Sequence, residues 1–360
     1  MLRYILASVF SFIGVELWGQ ISWYNPMEEQ IGVINNQGFA HEKGMSYARL
    51  PLRAQSRVRE PVWKLSRYSS GLSIRFQTDA SCIQIRYVVS DALGMTHMPP
   101  TGVSGIDMYR IEDNRWSFCS GTYIFGDTII YNFDNLVVDG SHSTYCIFLP
   151  LYNEVRWMEI GVESNRLFHF VPRLNQMPIV VYGTSITQGA CASRPGMAWT
   201  NIVQRYIECP VINLGFSGNG KLEEEVLDFV NEIDARVYIL DCVSNLTQDS
   251  MLVERTINAV KKIRSVHQNE PILIMEHAGY SNSMTCLKRR MECENANIKV
   301  RRAYNDLLNM GVKNVFYISR KEFDFCNDAW VDYVHPSDIG MNQKALVVKD
   351  NLMQLFSLGF

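Results

Sequence analysis

The sequence predicts an α/β protein in two parts, an all-β sandwich followed by a three-layer, flavodoxin-like domain built on a parallel sheet. Three observations carry this expectation. Residues 20–175 run in short segments of alternating polarity bounded by turn residues, whereas beyond Pro178 apolar, β-branched runs alternate with stretches of helical period. Between the two patterns lies a short stretch bounded by Pro172 and Pro178, which reads as a linker. The chain has 360 residues and 47% hydrophobic content, more than one core usually organises, so the expected units are 20–175 and 176–360.

The first fifteen residues, Met1–Val15, carry one positive charge and an apolar run too short to span a bilayer. This pattern predicts a secretory signal peptide over residues 1–19, cleaved near Gly19, and an exported (periplasmic or secreted) mature chain. No later apolar run is long enough for membrane insertion. With 34 basic and 37 acidic residues the formal charge is −3, which supplies no extended basic field for nucleic acid or anionic lipid. The expected partner is a small molecule or a glycan, and the sequence fixes no oligomeric state. The nine cysteines lack the Cys-x-x-Cys pairs of a structural zinc site, and most read as small core residues. In an exported chain one or two disulfides could form, Cys286 and Cys293 being the closest pair in sequence.

In the first half, strands are expected at Leu72–Phe76, Cys82–Val88, Ile106–Arg110, Thr144–Phe148 and Val155–Ile160, with no long helix. Trp63, Tyr87, Tyr109, Trp116 and Trp157 could line a sugar platform, but alternation favours the core for most of them. In the second half, strands at Ile179–Tyr182, Val211–Leu214, Val237–Leu240, Ile272–Met275 and Val315–Ile318 alternate with helices near 198–207, 222–231, 249–267, 296–310 and 338–356. Regular alternation implies right-handed crossovers and a parallel sheet covered on both faces. Met284–Arg302 mixes charge and polarity as a solvated face does.

Chemistry-bearing residues fall just after these strands, where an open α/β sheet collects its ligands. Ile179–Tyr182 leads into Gly183-Thr184-Ser185, which delivers a serine to that edge as a nucleophile or, more plainly, as a helix cap. Asn213–Gly220 is a glycine-rich loop whose N–H groups can approach a ligand closely, and Asp241–Asn245 brings a side-chain amide to the same edge. Before the last helix, Asp332 and His335 lie three residues apart, so a carboxylate can orient an imidazole on one turn. Acyl transfer through a serine needs these parts: nucleophile, base, orienting acid and oxyanion donors.

The four blocks together resemble the SGNH (GDSL-type) serine hydrolases. The resemblance implies Ser185 as nucleophile, His335 as base and Asp332 as acid. It also implies the N–H groups of Ser185 and Gly218 and the amide of Asn245 as the oxyanion hole. Two positions depart from the pattern: Thr184 replaces the aspartate of Gly-Asp-Ser, and Val243-Ser244-Asn245 replaces Gly-x-Asn-Asp. Gly105-Ile-Asp107-Met-Tyr109 is similar to the Gly-x-Asp-Leu-Tyr signature of the jelly-roll-like β-domain in a bacterial two-domain branch, which resembles carbohydrate esterases. That branch implies hydrolysis of short acyl esters, acetyl above all, on carbohydrate, with no metal and no organic cofactor. Arg194 and His277 are further candidates for substrate contact. Asp107 and Tyr109 are expected at a domain interface. Two other readings fit the residues: a glycan-binding protein with a vestigial hydrolase domain, and an acyltransferase using the same triad.

Overall fold

A computed structural model describes residues 20–42, 44, 46–138 and 142–360. The signal-peptide reading over 1–19 lies outside the described residues.

The first half contains β1 (Ile21–Tyr24), β2 (Ile34–Asn35), β3 (Ser73–Thr78), β4 (Ile83–Val89), β5 (Asp107–Glu112), β6 (Arg115–Cys119), β7 (Thr122–Ile124), β8 (Ile129–Phe133), β9 (Ser143–Phe148), β10 (Val155–Glu163) and β11 (Phe168–Phe170). They form two antiparallel sheets, ordered β1-β10-β4-β8-β7 and β11-β3-β9-β5-β6, with β2 paired to β3. Alternation decides which side chains lie between them. In β4, Ile83, Ile85 and Tyr87 are fully buried while Gln84 and Arg86 are partly exposed. Two short helices interrupt this half, α1 (Glu60–Ser66) and α2 (Pro100–Val103).

The second half is a parallel sheet of β12 (Ile179–Gly183), β13 (Val211–Gly215), β14 (Val237–Asp241), β15 (Ile272–Met275) and β16 (Val315–Ile318), ordered β13-β12-β14-β15-β16. This is the flavodoxin-like order, in which the winding direction changes between the first and third strands, here β12 and β14. The helices are α3 (Ser185–Gln188), α4 (Trp199–Ile207), α5 (Glu224–Asn231), α6 (Leu252–Val266), α7 (Leu287–Asn309) and α8 (Asp338–Ser357). Ile179 and Val181 pack with α4 and α8 through Trp199, Ile202, Met341 and Val348. Val180 and Tyr182 point to the opposite layer of α5, α6 and α7, packing with Val226, Val260 and Val300. No helix among the described residues is long and apolar enough to cross a membrane.

Three details differ from the sequence expectation. Helix α7 starts nine residues earlier than expected, because its first turns expose Leu287 and Met291 and its buried face is made of small residues such as Cys293 and Ala296. Several residues between β2 and β3 lie outside the sandwich core: Phe39, Leu50, Ala54, Val58 and Val62 pack with Val180, Ile212 and Tyr238 of the parallel sheet, while Tyr47 stays with the sandwich. All nine cysteines are free thiols, Cys286 and Cys293 included.

Candidate active site

Strand β12 ends at Gly183, and the geometry there requires a glycine. A Cβ on Gly183 would stand 2.0 Å from Thr187 Oγ1, so the tight strand-to-helix turn excludes any side chain. Thr184 caps α3, its hydroxyl accepting from the Ile186 N–H at 3.3 Å. The capping role weighed for Ser185 therefore falls to its neighbour, and the Ser185 hydroxyl bonds elsewhere. Ser185 Oγ lies 3.0 Å from His335 Nε2, and His335 Nδ1 lies 2.7 Å from Asp332 Oδ2.

The second carboxylate oxygen of Asp332 accepts from the backbone N–H groups of Val334 and His335 at 2.8 and 2.7 Å. Burial works to raise the Asp332 pKa, but the His335 bond and these two N–H donors outweigh it and hold the carboxyl below its ordinary value. A fixed anion beside Nδ1 selects the tautomer with the proton on Nδ1, leaving Nε2 as the acceptor for the serine hydroxyl. Ser185 is only 8% exposed, while His335 is partly exposed.

In the loop after β13, which is bonded to α3, Gly218 adopts φ +65, and a Cβ there would meet nothing within 4 Å. That loop is held from below. Gln188 Oε1 accepts from the Ser217 N–H at 3.0 Å, and the buried Arg49 guanidinium donates to the carbonyls of Asn213 and Gly215 at 3.2 and 2.6 Å. Burial pulls the Arg49 pKa down to about 9. Asn245, after β14, donates through Nδ2 to the Asn219 carbonyl, which ties the amide to the glycine loop and leaves its second N–H. Beneath α3, Asp241 accepts from Thr187 Oγ1 at 2.7 Å and from the buried Lys344 ammonium of α8 at 3.0 Å.

The β-half reaches this edge in two places. Arg194 Nη1 donates to Asp107 Oδ2 at 2.7 Å and to the Tyr109 hydroxyl at 2.8 Å, and the Gly196 N–H donates to the same Asp107 oxygen at 2.7 Å. The Gly-x-Asp-x-Tyr residues thus grip the loop that follows the serine, as expected for an interface. Arg194 Nη1 is thus engaged in the contact between the two halves. The second place is the turn between Met95 and Met98, closed by reciprocal N–H···O bonds of 3.1 Å. Met98 is buried with Ile186 and Ala192, and His97 at the tip lies against His335, ring centroids 5.8 Å apart.

His277 is corrected by the structure. It is 1% exposed, its Nδ1 accepts from the Gly279 N–H at 2.9 Å, and burial, reinforced by Lys344 and Arg320, lowers its pKa to about 3. A neutral, enclosed imidazole does not touch substrate. Thr187, Gln188, Arg49, Lys344 and His97 join the site without belonging to any of the four sequence blocks. Only Thr187 and Gln188, directly after the serine, carried a positional signal.

With this geometry in view, the comparisons with known proteins decide the family. The model of the GDSL-like lipase/acylhydrolase family matches residues 176–353, and that of the N-terminal domain of SGNH-hydrolase-type esterases matches residues 21–168. The chain belongs to the GDSL-like (SGNH) hydrolases. Membership makes it a carboxylic ester hydrolase. A solved GDSL-like lipase from Bacteroides ovatus is 28% identical, with 94% of this chain and 98% of that chain covered and a TM-score of 0.87. Two more distant structures share the fold. A salicylyl-acyltransferase of a tetracycline biosynthetic pathway is 14% identical, covering 93% and 97% of the two chains at a TM-score of 0.72. A family two carbohydrate esterase from Cellvibrio japonicus is 11% identical, covering 94% and 98% at a TM-score of 0.58. No curated protein matches the sequence.

Proposed function

We propose that this SGNH hydrolase is an exported serine esterase that removes short acyl groups, acetyl above all, from carbohydrate. The observation that carries the reading is the hydrogen-bonded chain Asp332–His335–Ser185, with bonds of 2.7 and 3.0 Å, at the carboxyl edge of a parallel sheet beside Gly218 and Asn245. The low exposure of Ser185, 8%, suits a small acyl group. The carbohydrate side is supported by the shared fold of family two carbohydrate esterases, one of them solved with cellohexaose.

In the proposed reaction His335 Nε2 takes the proton of Ser185 Oγ as the oxygen attacks the ester carbonyl. Negative charge develops on the carbonyl oxygen, where the N–H groups of Ser185 and Gly218 and the free N–H of Asn245 receive it. Collapse expels the sugar alkoxide, which takes the proton back from the imidazolium, and leaves an acyl-serine. Water attacks next with His335 again as base, releasing carboxylate. Asp332 stays ionised throughout and stabilises the imidazolium. None of these steps calls on a metal or an organic cofactor.

The test is turnover of a p-nitrophenyl ester series and of acetylated glycans by wild type and Ser185→Ala. Rates that fall with acyl chain length, and a loss of at least about three orders of magnitude in the variant, are expected. Equal rates in both proteins would overturn the assignment. The fold shared with an acyltransferase supports a second reading, transfer of the acyl group to a sugar hydroxyl. Product analysis with a competing acceptor distinguishes the two.

A further inference from the structure

Three potential metal ligands converge on the active-site edge from separate segments. The ligating atoms of His97, Cys191 and His335 all lie within 4.8 Å of one another. His97 is at the tip of the Met95–Met98 turn from the β-half, Cys191 follows the serine helix, and His335 precedes α8. We propose that these three side chains form a zinc site that switches the esterase off; the inhibitory role rests on the function proposed above.

The ligand chemistry favours zinc over magnesium or calcium, which require oxygen. In a tetrahedral zinc site, N and S donors at about 2.1 and 2.3 Å from the ion stand roughly 3.3–3.6 Å apart, so the observed cluster needs to contract by about 1 Å. The exposed His97 side chain can supply that movement, while the other two ligands are held. Cys191 is 5% exposed, and His335 is fixed through Nδ1 by Asp332 at 2.7 Å. A carboxylate holding one nitrogen of a histidine is the usual outer support of a zinc-bound imidazole, and here it directs Nε2 to the metal. Binding displaces the Cys191 thiol proton to solvent and forms a zinc–thiolate bond. The fourth position falls to water or to Ser185 Oγ, 3.0 Å from Nε2. Once Nε2 ligates zinc it has no lone pair for the serine proton, so the same contact that builds the site removes the base.

The experiment has two arms on the full chain. In the first, activity is titrated with zinc sulfate and restored with a chelator, in wild type, Cys191→Ala and His97→Ala, each referred to its own rate in chelator. In both variants the half-inhibiting zinc concentration should rise by at least about tenfold. Equal sensitivity in all three would overturn the proposal. In the second arm, cobalt(II) replaces zinc and thiolate-to-metal absorption is read in wild type, Ser185→Ala, Cys191→Ala and His97→Ala. Wild type and Ser185→Ala should show the band, Cys191→Ala should lose it, and His97→Ala should require more cobalt. A band that survives in Cys191→Ala, or no band in wild type, would overturn the site. Because Ser185→Ala has no serine chemistry, this arm judges the metal site even if the esterase reading fails.

Discussion

The serine edge is a set of hydrogen bonds in which each residue holds the next, and truncations there act with different weights. Asn245 bonds the Asn219 carbonyl with one N–H and has the other to offer to an oxyanion. Asn245→Ala should lower kcat by on the order of a hundredfold to a thousandfold with little change in fold, measured by kinetics on an acetyl ester beside circular dichroism. An unchanged kcat would remove Asn245 from the proposed oxyanion hole. His277 makes a different kind of prediction. Its pKa falls from 6.5 to about 3 on folding, so below pH 6.5 the unfolded chain binds a proton that the native chain refuses. The contribution of His277 to stability is therefore complete above that pH and is lost on acidification toward pH 3, at up to about 1.4 kcal/mol per pH unit. Urea midpoints between pH 6.5 and 4 should fall more steeply for wild type than for His277→Asn, whose shorter amide can still accept from Gly279. Parallel slopes would show that another group governs the acid limb.

Strand β14 and helices α3 and α8 meet at one buried ion pair, and here the prediction concerns elements. Asp241 closes the end of β14, Thr187 belongs to α3 and Lys344 to α8, and all three are at most 4% exposed. Removing Lys344 alone would leave a carboxylate buried with only a hydroxyl partner. Lys344→Met should cost about 3–5 kcal/mol by denaturant titration, and combining it with Asp241→Asn should recover part of that loss. A double variant no more stable than Lys344→Met would show that the charge is not what the lysine neutralises.

At the element scale much was legible in the sequence. The five parallel strands announced themselves as apolar β-branched runs, and the Asp332–His335 spacing put acid and base on one turn. What was not legible followed physical causes. The early turns of α7 carry no apolar stripe, because small residues make its buried contacts. Lys344 reads as a surface lysine until a carboxylate roughly a hundred residues earlier is known to face it. Thr184 and Ser185 are both good caps by propensity, and only the turn geometry decides which hydroxyl is spent. Arg194 follows the serine while its partners Asp107 and Tyr109 lie some 85 residues earlier, in the β-half, so the clamp appears only in three dimensions.

At the scale of the whole molecule the two halves are mortised together. Gly196 lets the post-serine loop lie directly on the β-half signature: a Cβ there would stand 2.4 Å from the Tyr109 hydroxyl and 2.6 Å from Asp107 Oδ2. Gly196→Ala should destabilise the protein by about 1–3 kcal/mol, read as a lower urea midpoint. Because the same loop follows Ser185, ester turnover should fall with it under native conditions. Unchanged stability would show that the loop can shift off Tyr109 and Asp107 without cost.

The packing of Phe39, Leu50, Ala54, Val58 and Val62 on the parallel sheet also sets an order of events in time. Phe39, Leu50 and Val62 are synthesised early, yet the strands they cover, beginning with Val180, follow only after the entire sandwich. At a synthesis rate of about 5–20 residues per second, those apolar residues wait for roughly 6–24 seconds without the sheet they cover. The nascent chain thus carries a sticky, unfinished surface while its β-half assembles, and a chaperone holding it during that interval would guard the residues that later close the hydrolase core.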